Sequence, residues 1–433
     1  MTVKANPEAS TSLSRRRILQ ATSAAALVGT VPLAFAQAGR KIKIGFISPQ
    51  TGPLAGFGSA DDFVLAGVRK AIGDGLTIEG KKYPVEIIVR DSQSNPSRAA
   101  EVASELITRE KVDLMLASST SDTTNPVADQ CELNGVPCVT TDTPWDAHFF
   151  GRGGNPAKGF DWTYHFFWGG SQVVETFTGL WNAVPTNKIV GTVWANDADG
   201  KALSDKKTGL PPGFEKAGYK VVDIGFFTPL SNDFTAQITR LKAEKCDIVT
   251  GVFIPPDWAT FWAQCAQQAY KPKVATVAKA LLFPSSVEAL GDRAIGLSSE
   301  VWWSPSHPFK SGLTGQTAAA MCADYTKATG KQWVQPLGFK HALLEVAIDV
   351  LKRTKNVDDK KSIMEAISAT DYQSMVGPIS WKKGPVKNCA TTPLVGGQWV
   401  KGKQFKYDLE ITNNAAYPGI ATTRKFEAIP YKA

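Results

Sequence analysis

The chain has 433 residues, a net charge of +8 and 10% aromatic residues. This is more chain than a single hydrophobic core usually fills, so we expect two domains. The basic residues are scattered along the sequence, which argues against a nucleic-acid-binding surface and against a polybasic membrane anchor.

The first 36 residues have the order of an export signal. Ser14-Arg15-Arg16-Arg17-Ile18-Leu19 precedes an apolar stretch, residues 21–35, and Ala34-Phe35-Ala36 stands before Gln37. This order predicts a signal peptide over residues 1–36, and hence a periplasmic protein. The paired arginines also resemble the twin-arginine signal, with an ordinary secretory signal as the alternative.

Strand and helix patterns alternate from residue 41 onwards. The first part predicts strands at 42–47, 85–89, 112–117 and 136–140, and helices at 65–72 and 98–109. Ser97 suits the N-cap of the second of these helices. After an aromatic-rich segment, 143–170, the pattern resumes with strands at 189–194, 220–224, 247–254 and 273–277, and helices at 211–217, 234–243, 257–270, 317–329 and 342–352. Such alternation predicts parallel, doubly wound sheets, and its repetition predicts two similar α/β lobes.

Six cysteines in an exported chain favour disulfides over a metal site. No Cys-x-x-Cys or His-x-x-x-His pair occurs, so we expect neither a structural metal nor a cofactor. We expect three pairs: Cys131–Cys138, Cys246–Cys265 and Cys322–Cys389. The first pair flanks a helix-to-strand break, the second lies at the meeting ends of a strand and its following helix, and the third follows by elimination.

Three local patterns resemble one known family. They are Thr51-Gly52-Pro53-Leu54-Ala55 after the first strand, Asp91-Ser92-Gln93-Ser94-Asn95-Pro96 after the second, and Val376-Gly377-Pro378-Ile379-Ser380-Trp381 near the end. In this order and spacing they resemble the periplasmic solute-binding proteins of branched-chain amino-acid ABC transporters, over about residues 41–399.

The resemblance implies the type I periplasmic-binding-protein fold, in which two α/β lobes joined by three crossovers close on a small ligand. We expect lobe 1 to comprise residues 37–164 and 304–375, and lobe 2 to comprise 165–303 and 376–433. An ABC permease of the inner membrane is the implied partner, and we expect a monomer without nucleic acid.

In open parallel sheets, ligands bind outside the carboxyl ends of the strands. In lobe 1, polar loops follow the third and fourth strands and supply the candidate residues Ser118, Ser119, Thr120, Thr140 and Thr141. The resemblance implies that these loops grip the α-carboxylate of the ligand. The alternative is that the same side chains only cap the next helices.

In lobe 2, Asp257 follows a strand end, where the resemblance implies an acid that meets the ligand's ammonium group. An acid at a helix start is also an ordinary cap. Asp197 lies in Asn196-Asp197-Ala198-Asp199-Gly200, where Ala195 occupies the place of a first calcium ligand, so a tight turn beside the cleft is favoured over a calcium loop.

Aromatic residues cluster at the expected crossovers, which departs from the family pattern. The candidates for ligand contact are Phe57, Trp168 and Trp302. Each is alternatively a core residue. Together they favour a flat apolar or aromatic ligand, or a cation over a ring face.

No convergent acid, base and nucleophile can be nominated from the sequence, so we expect a binding protein and not an enzyme. The expected function is capture of a small carboxylate-bearing ligand, an amino acid or an aromatic acid, for delivery to an ABC permease. The alternative is a ligand sensor of the same fold, for an amide or an aromatic compound, that reports to a receptor.

Overall fold

The computed structural model describes residues 39–431. The expected signal peptide, residues 1–36, lies outside them. The strands, in chain order, are β1 (Ile42–Ser48), β2 (Leu76–Ile78), β3 (Lys81–Tyr83), β4 (Val85–Asp91), β5 (Leu114–Ser118), β6 (Cys138–Thr141), β7 (Thr163–Phe166), β8 (Ile189–Ala195), β9 (Lys220–Phe227), β10 (Ile248–Val252), β11 (Val274–Ala278), β12 (Ser298–Val301), β13 (Asp371–Ser374), β14 (Gly377–Ser380), β15 (Cys389–Ala390), β16 (Val395–Lys401) and β17 (Tyr407–Asn413).

The α-helices are α1 (Asp61–Ile72), α2 (Pro96–Glu105), α3 (Ser121–Asn134), α4 (Trp145–Gly151), α5 (Gly170–Trp181), α6 (Ala198–Leu203), α7 (Leu210–Lys216), α8 (Thr235–Ala243), α9 (Pro255–Gln267), α10 (Pro284–Leu290), α11 (Ala318–Thr329), α12 (Pro336–Arg353) and α13 (Lys360–Ser368). Between residues 39 and 431, none of them combines the length and the apolar character that a membrane span requires.

The strands form two large sheets. The first has the order β15-β7-β6-β5-β1-β4, and all its pairs are parallel. The second has the order β17-β16-β12-β11-β10-β8-β9; it is parallel from β9 to β12 and antiparallel at β16 and β17. The predicted α/β class with two doubly wound sheets is confirmed.

Local sequence explains most elements, and one cap differs from the prediction. Helix α2 begins at Pro96, whose fixed φ and missing N–H suit the first helical turn. Its N-cap is Asn95, whose Oδ1 accepts from the Arg98 amide at 3.0 Å. Ser97, the predicted cap, lies inside the helix, because the helix starts at Pro96, two residues before the predicted start.

Helix α12 is the central helix on the first sheet. It is buried over nearly its whole length and packs against α1, β5 and β6. A helix that is apolar all round belongs in a core. Its buried residues are mostly apolar, but Lys340, His341 and Glu345 are buried with them, and Lys340 is fully buried.

The chain passes between the sheets after β7, after β12 and after β15. The expected lobe bounds stay a prediction, but the pairing of β15 with β7 does not fit the last of them. Cys389 and Ala390 pair with His165 and Phe166 of the first sheet, although residues 376–433 were expected in the second lobe. The last passage therefore follows residue 390.

All six cysteines are buried free thiols, which differs from the three expected disulfides. The Cys131 side chain lies beside that of Cys138, and burial raises its pKa. Tyr270 lies close to both Cys246 and Cys265. Cys322 is on α11, whereas Cys389 is on the edge strand of the first sheet near Arg152, so elimination was a poor guide to that pair.

Candidate ligand-binding site

A cavity lies where the carboxyl ends of both sheets meet. The space between its walls, counted together with the adjoining solvent, is about 370 Å³. Val252 and Ala278 are the last residues of β10 and β11, while Thr120 and Asp142 follow the ends of β5 and β6. The lining residues are Phe57, Thr120, Asp142, Pro144, Phe167, Trp168, Asp199, Leu203, Val252, Ala278, Lys279, Leu282, Glu300 and Trp302.

Aromatic rings form one wall of this cavity. Phe167 packs against Trp168, with ring centroids 4.6 Å apart, and against Trp302 at 5.1 Å in an edge-to-face arrangement. Phe339 of α12 supports Phe167 and Trp302 from behind, at 5.0 and 5.1 Å. Phe57 lines the cavity and packs on Phe283. The structure thus brings together the three aromatic residues that the sequence singled out.

Several residues that line the cavity carry buried polar groups with no hydrogen-bond partner within residues 39–431. These groups are the indole N–H groups of Trp168 and Trp302, the hydroxyl of Thr120 and both carboxylate oxygens of Asp142. A buried polar group without a partner is costly, by about 1–3 kcal/mol. Lined up along one cavity, these groups are suited to bind a polar ligand.

Asp142 is only 4% exposed and adopts a left-handed backbone conformation, with φ of 67°. Aspartate is one of the few residues that tolerate this region. Burial raises the pKa of its carboxyl to about 7, and the charge of Lys340 acts in the opposite direction. The neighbouring Thr141 side chain also acts to lower this pKa, and its hydroxyl donates to the Phe166 carbonyl oxygen at 2.7 Å.

Lys340 is the buried cation on the first-sheet side. Its Nζ donates to Ser48 Oγ at 2.8 Å and to Ser118 Oγ, and it lies 3.7 Å from Asp61 Oδ1. Burial raises the pKa of Asp61, against the effect of Lys340. Sequence reasoning missed Lys340; the signal was a lone lysine inside the apolar face of a helix.

Lys279 is the buried cation on the second-sheet side, and it lies among acids. Its Nζ is 2.8 Å from Asp199 Oδ2 and 3.0 Å from Asp197 Oδ2. Burial acts to lower the pKa of Lys279, but the two carboxylates raise it by more. Burial, together with the charge of Asp199, raises the pKa of Asp122 to about 6.

Asp199 and Asp122 form hydrogen bonds across the cleft. The Ser121 amide of α3 donates to Asp199 Oδ1 at 3.2 Å, and the Ala198 amide of α6 donates to Asp122 Oδ1 at 3.2 Å. Asp197 itself caps α6, because its Oδ1 accepts from the Gly200 amide at 2.7 Å. The predicted tight turn is therefore a helix cap, and within residues 39–431 no cluster of His, Cys, Asp and Glu is arranged for a metal ion.

The other predicted residues lie outside the cavity wall. Thr140 Oγ1 is 2.8 Å from His165 Nδ1 and Thr141 donates to a backbone carbonyl, so both hydroxyls are used inside the sheet. Ser118 is bound to Lys340, and Ser119 is buried without a hydrogen-bond partner among the described residues.

Asp257 lies at the third position of α9 and does not line the cavity. Its carboxyl is buried, and burial raises its pKa to about 6, against the effect of the Leu230 and Ser231 amides. The structure therefore offers two buried acids, Asp142 and Asp257, for the role that the sequence gave to Asp257 alone.

Comparison with known sequences gives a consistent result. A family model described as "Periplasmic binding protein" matches residues 41–404. The chain is 27% identical over 237 residues to Leu/Ile/Val-binding protein homolog 3 of Brucella melitensis, covering 54% of this chain and 59% of that protein. It is 30% identical over 238 residues to a Leu/Ile/Val-binding protein of Rhizobium johnstonii, with the same coverage. The chain thus spans less than two thirds of the length of these relatives.

Solved structures show the same fold at low identity. The leucine-binding protein of Thermotoga maritima is 22% identical with a TM-score of 0.67, over 86% of this chain and 99% of that one. A solute-binding protein of an ABC transporter from Rhodopseudomonas palustris, in complex with 3,4-dihydroxybenzoic acid, is 22% identical with a TM-score of 0.68, over 88% and 99%.

Proposed function

The chain belongs to the periplasmic binding protein family, and from this premise we propose that it captures a small carboxylate-bearing ligand for delivery to an ABC permease. The ligand is an amino acid or an aromatic acid held in the cavity between the two sheets. The family consists of binding proteins of transporters and not of enzymes.

One observation carries this proposal. The indole N–H groups of Trp168 and Trp302 and the Thr120 hydroxyl lie along one buried cavity without hydrogen-bond partners among the described residues. An indole N–H can only donate, so the ligand must offer acceptors, and a carboxylate is the strongest acceptor among small metabolites. The Phe57, Phe167 and Trp302 rings supply the apolar contact that a branched or aromatic body requires.

The relatives support both classes of ligand. The Brucella and Rhizobium proteins are named for leucine, isoleucine and valine, whereas the Rhodopseudomonas structure holds a dihydroxybenzoic acid. The aromatic wall of this cavity can pack against either a branched aliphatic side chain or an aromatic ring. Of the predicted residues, we propose Phe57, Thr120, Trp168 and Trp302 as direct ligand contacts.

The mature protein is proposed to be a periplasmic monomer that docks on a permease of the inner membrane. Export through the twin-arginine route is the prediction from Arg15 and Arg16. Arg15→Lys combined with Arg16→Lys should leave the precursor in the cytoplasm, as measured by cell fractionation. Unchanged export of this double variant would contradict the twin-arginine route, while the periplasmic location could still be reached by the general secretory pathway.

A thermal-shift screen tests the proposed function. A ligand that binds only the folded protein raises the melting temperature, by an amount equivalent to about 2.7 kcal/mol at a hundred times its Kd. The panel pairs each carboxylate with its amide: leucine with leucinamide, phenylalanine with phenylalaninamide and benzoate with benzamide. We expect a shift from at least one carboxylate and a smaller shift from its amide. Equal shifts from both members of every pair would contradict the proposal.

A further inference from the structure

We propose that Asp142 is the anchor for a ligand ammonium group, so that the ligand is a zwitterion whose ammonium faces the first sheet and whose carboxylate faces the tryptophans. This inference rests on the proposed function, because it concerns the same cavity. It reverses the orientation that the sequence resemblance implies, in which the first-lobe loops hold the carboxylate and Asp257 holds the ammonium.

The first step is the unmet hydrogen bonding of Asp142. Asp142 is one of the residues that line the cavity, it is almost fully buried, and its carboxylate oxygens have no hydrogen-bond partner in residues 39–431. The nearest cation, Lys340, is already committed to Ser48, Ser118 and the neighbouring Asp61. A carboxylate in this position requires donors, and only the cavity is left to supply them.

The second step is the charge of the cavity wall. Asp142, Asp199 and Glu300 line it, and Lys279 is the one cation among the described lining residues. Asp197 and Asp199 form ion pairs with Lys279 and balance its charge, so Lys279 attracts a ligand carboxylate only weakly. Burial raises the pKa of Asp142 and of Glu300 to about 7, and a cation in the cavity favours the charged form of both acids. Three acids beside one paired cation therefore attract a ligand cation more than a simple anion.

The third step is the separation of donors from acceptors. The unpartnered donors, Trp168 and Trp302 N–H, belong to the aromatic wall formed at two crossovers. The unpartnered acceptor, Asp142, belongs to the loop after β6. A carboxylate next to Asp142 would face a like charge, whereas next to the indoles it accepts hydrogen bonds. The complementary ligand carries an ammonium at one end and a carboxylate at the other.

The backbone at Asp142 supports a functional role. Its φ of 67° is rare for a residue with a side chain, and such conformations concentrate at functional sites. Asparagine tolerates this region as well as aspartate does. Asp142→Asn therefore removes the charge without a new backbone penalty.

The test uses matched probes that differ in one charged group. L-phenylalanine is compared with 3-phenylpropionate, which lacks the ammonium, and with 2-phenylethylamine, which lacks the carboxylate. L-leucine is compared with 4-methylpentanoate and 3-methylbutylamine in the same way. By calorimetry we expect one amino acid to bind the wild-type protein roughly ten- to a hundred-fold more tightly than its ammonium-free partner, the factor of one charge-assisted hydrogen bond.

Two variants locate the anchor. Asp142→Asn should weaken binding of the amino acid by the same factor and leave binding of its ammonium-free partner unchanged or stronger. Asp257→Asn tests the rival anchor that the sequence resemblance implies, since it removes a buried carboxylate that does not line the cavity. Circular dichroism and melting temperature establish that both variants fold.

The outcomes separate the two proposals. Equal binding of an amino acid and its ammonium-free partner overturns the inference and leaves the proposed function standing. Loss of binding in Asp257→Asn, with Asp142→Asn unaffected, also overturns the inference. Binding of the amines alone, dependent on Asp142, keeps the anchor and overturns the carboxylate part of the proposed function. Binding of none of the six probes overturns the inference, and the proposed function is then decided by the carboxylate and amide panel.

Discussion

Lys279 Nζ lies 2.8 Å from Asp199 Oδ2, and the other carboxylate oxygen of Asp199 accepts from the Ser121 amide across the cleft. One buried ion pair thus connects a loop of the second sheet with the start of a helix on the first. Both side chains are 7% exposed, so water screens the pair little. We expect the approach of the two sheets to depend on this cluster.

The first prediction concerns Lys279→Met. Removing one partner of a buried ion pair leaves unpaired buried charge and costs about 3–5 kcal/mol. The variant should unfold at lower denaturant concentration than the wild type, and small-angle scattering should show a larger radius of gyration. Lys201→Met, at an exposed position of α6, is the control. Equal stability of Lys279→Met and Lys201→Met would contradict a structural role for the cluster.

The second prediction concerns the pH dependence of Asp142→Asn. The folded-state pKa of Asp142 is about 7, above its ordinary value of 3.8, with Lys340 from α12 and Asp61 from α1 as the charges that face it. The folded state therefore binds the extra proton between pH 4 and 7, and the wild-type protein loses stability as the pH rises through this window.

Asp142→Asn lacks this titration, so its stability relative to the wild type should increase by about 3 kcal/mol from pH 5 to pH 8, because the window holds about two pH units below the folded-state pKa at roughly 1.4 kcal/mol each. Urea unfolding of both proteins at the two pH values measures the difference. Asp62→Asn, at an exposed position of α1, should show little change. A pH-independent difference for Asp142→Asn would mean that its carboxyl has a partner in solution.

The third prediction concerns the indole donors. Trp168→Phe keeps an aromatic ring and removes the N–H, so affinity for the best carboxylate of the screen should fall roughly tenfold. Trp258→Phe is the matched control, because Trp258 is equally buried, has an unpartnered N–H among the described residues and does not line the cavity. Isothermal titration calorimetry compares the two. An equal effect of both changes would show that the loss comes from packing and not from ligand contact.

The fourth prediction concerns the cysteines. Peptide mapping without reduction should find Cys131 joined to Cys138 in protein isolated from an oxidising compartment, because the two side chains lie in contact. Cys322 and Cys389 should be recovered as alkylated free thiols after denaturation, since neither has another thiol beside it among the described residues. Recovery of Cys131 and Cys138 as free thiols would remove the predicted pair.

Many of the helices and parallel strands were predictable because they depend on local patterns, whereas α3, α5, β7 and β12 were not predicted. The apolar run Leu114–Ser118 and the alternating segments after residue 189 form strands within a few residues of the predicted bounds. Capping was less certain: Asn95 and Ser97 are both good caps, and Pro96 decides between them. The antiparallel β16 and β17 were predicted only as short β-type runs, because long-range pairing leaves no local signal.

The sequence by itself determined the fold class, the order of the elements and the aromatic residues of the cavity, because periodicity and composition are properties of neighbouring positions. Only the tertiary structure decided which polar groups were left without partners. Thr140 and Thr141 have the same chemistry as Thr120, yet their hydroxyls bond to His165 and Phe166 inside the sheet. Lys340 is distant in sequence from Ser48 and Asp61, and α12 brings it to them. The roles of Asp142 and Lys279 follow from such contacts, since burial and pairing depend on residues far apart along the chain.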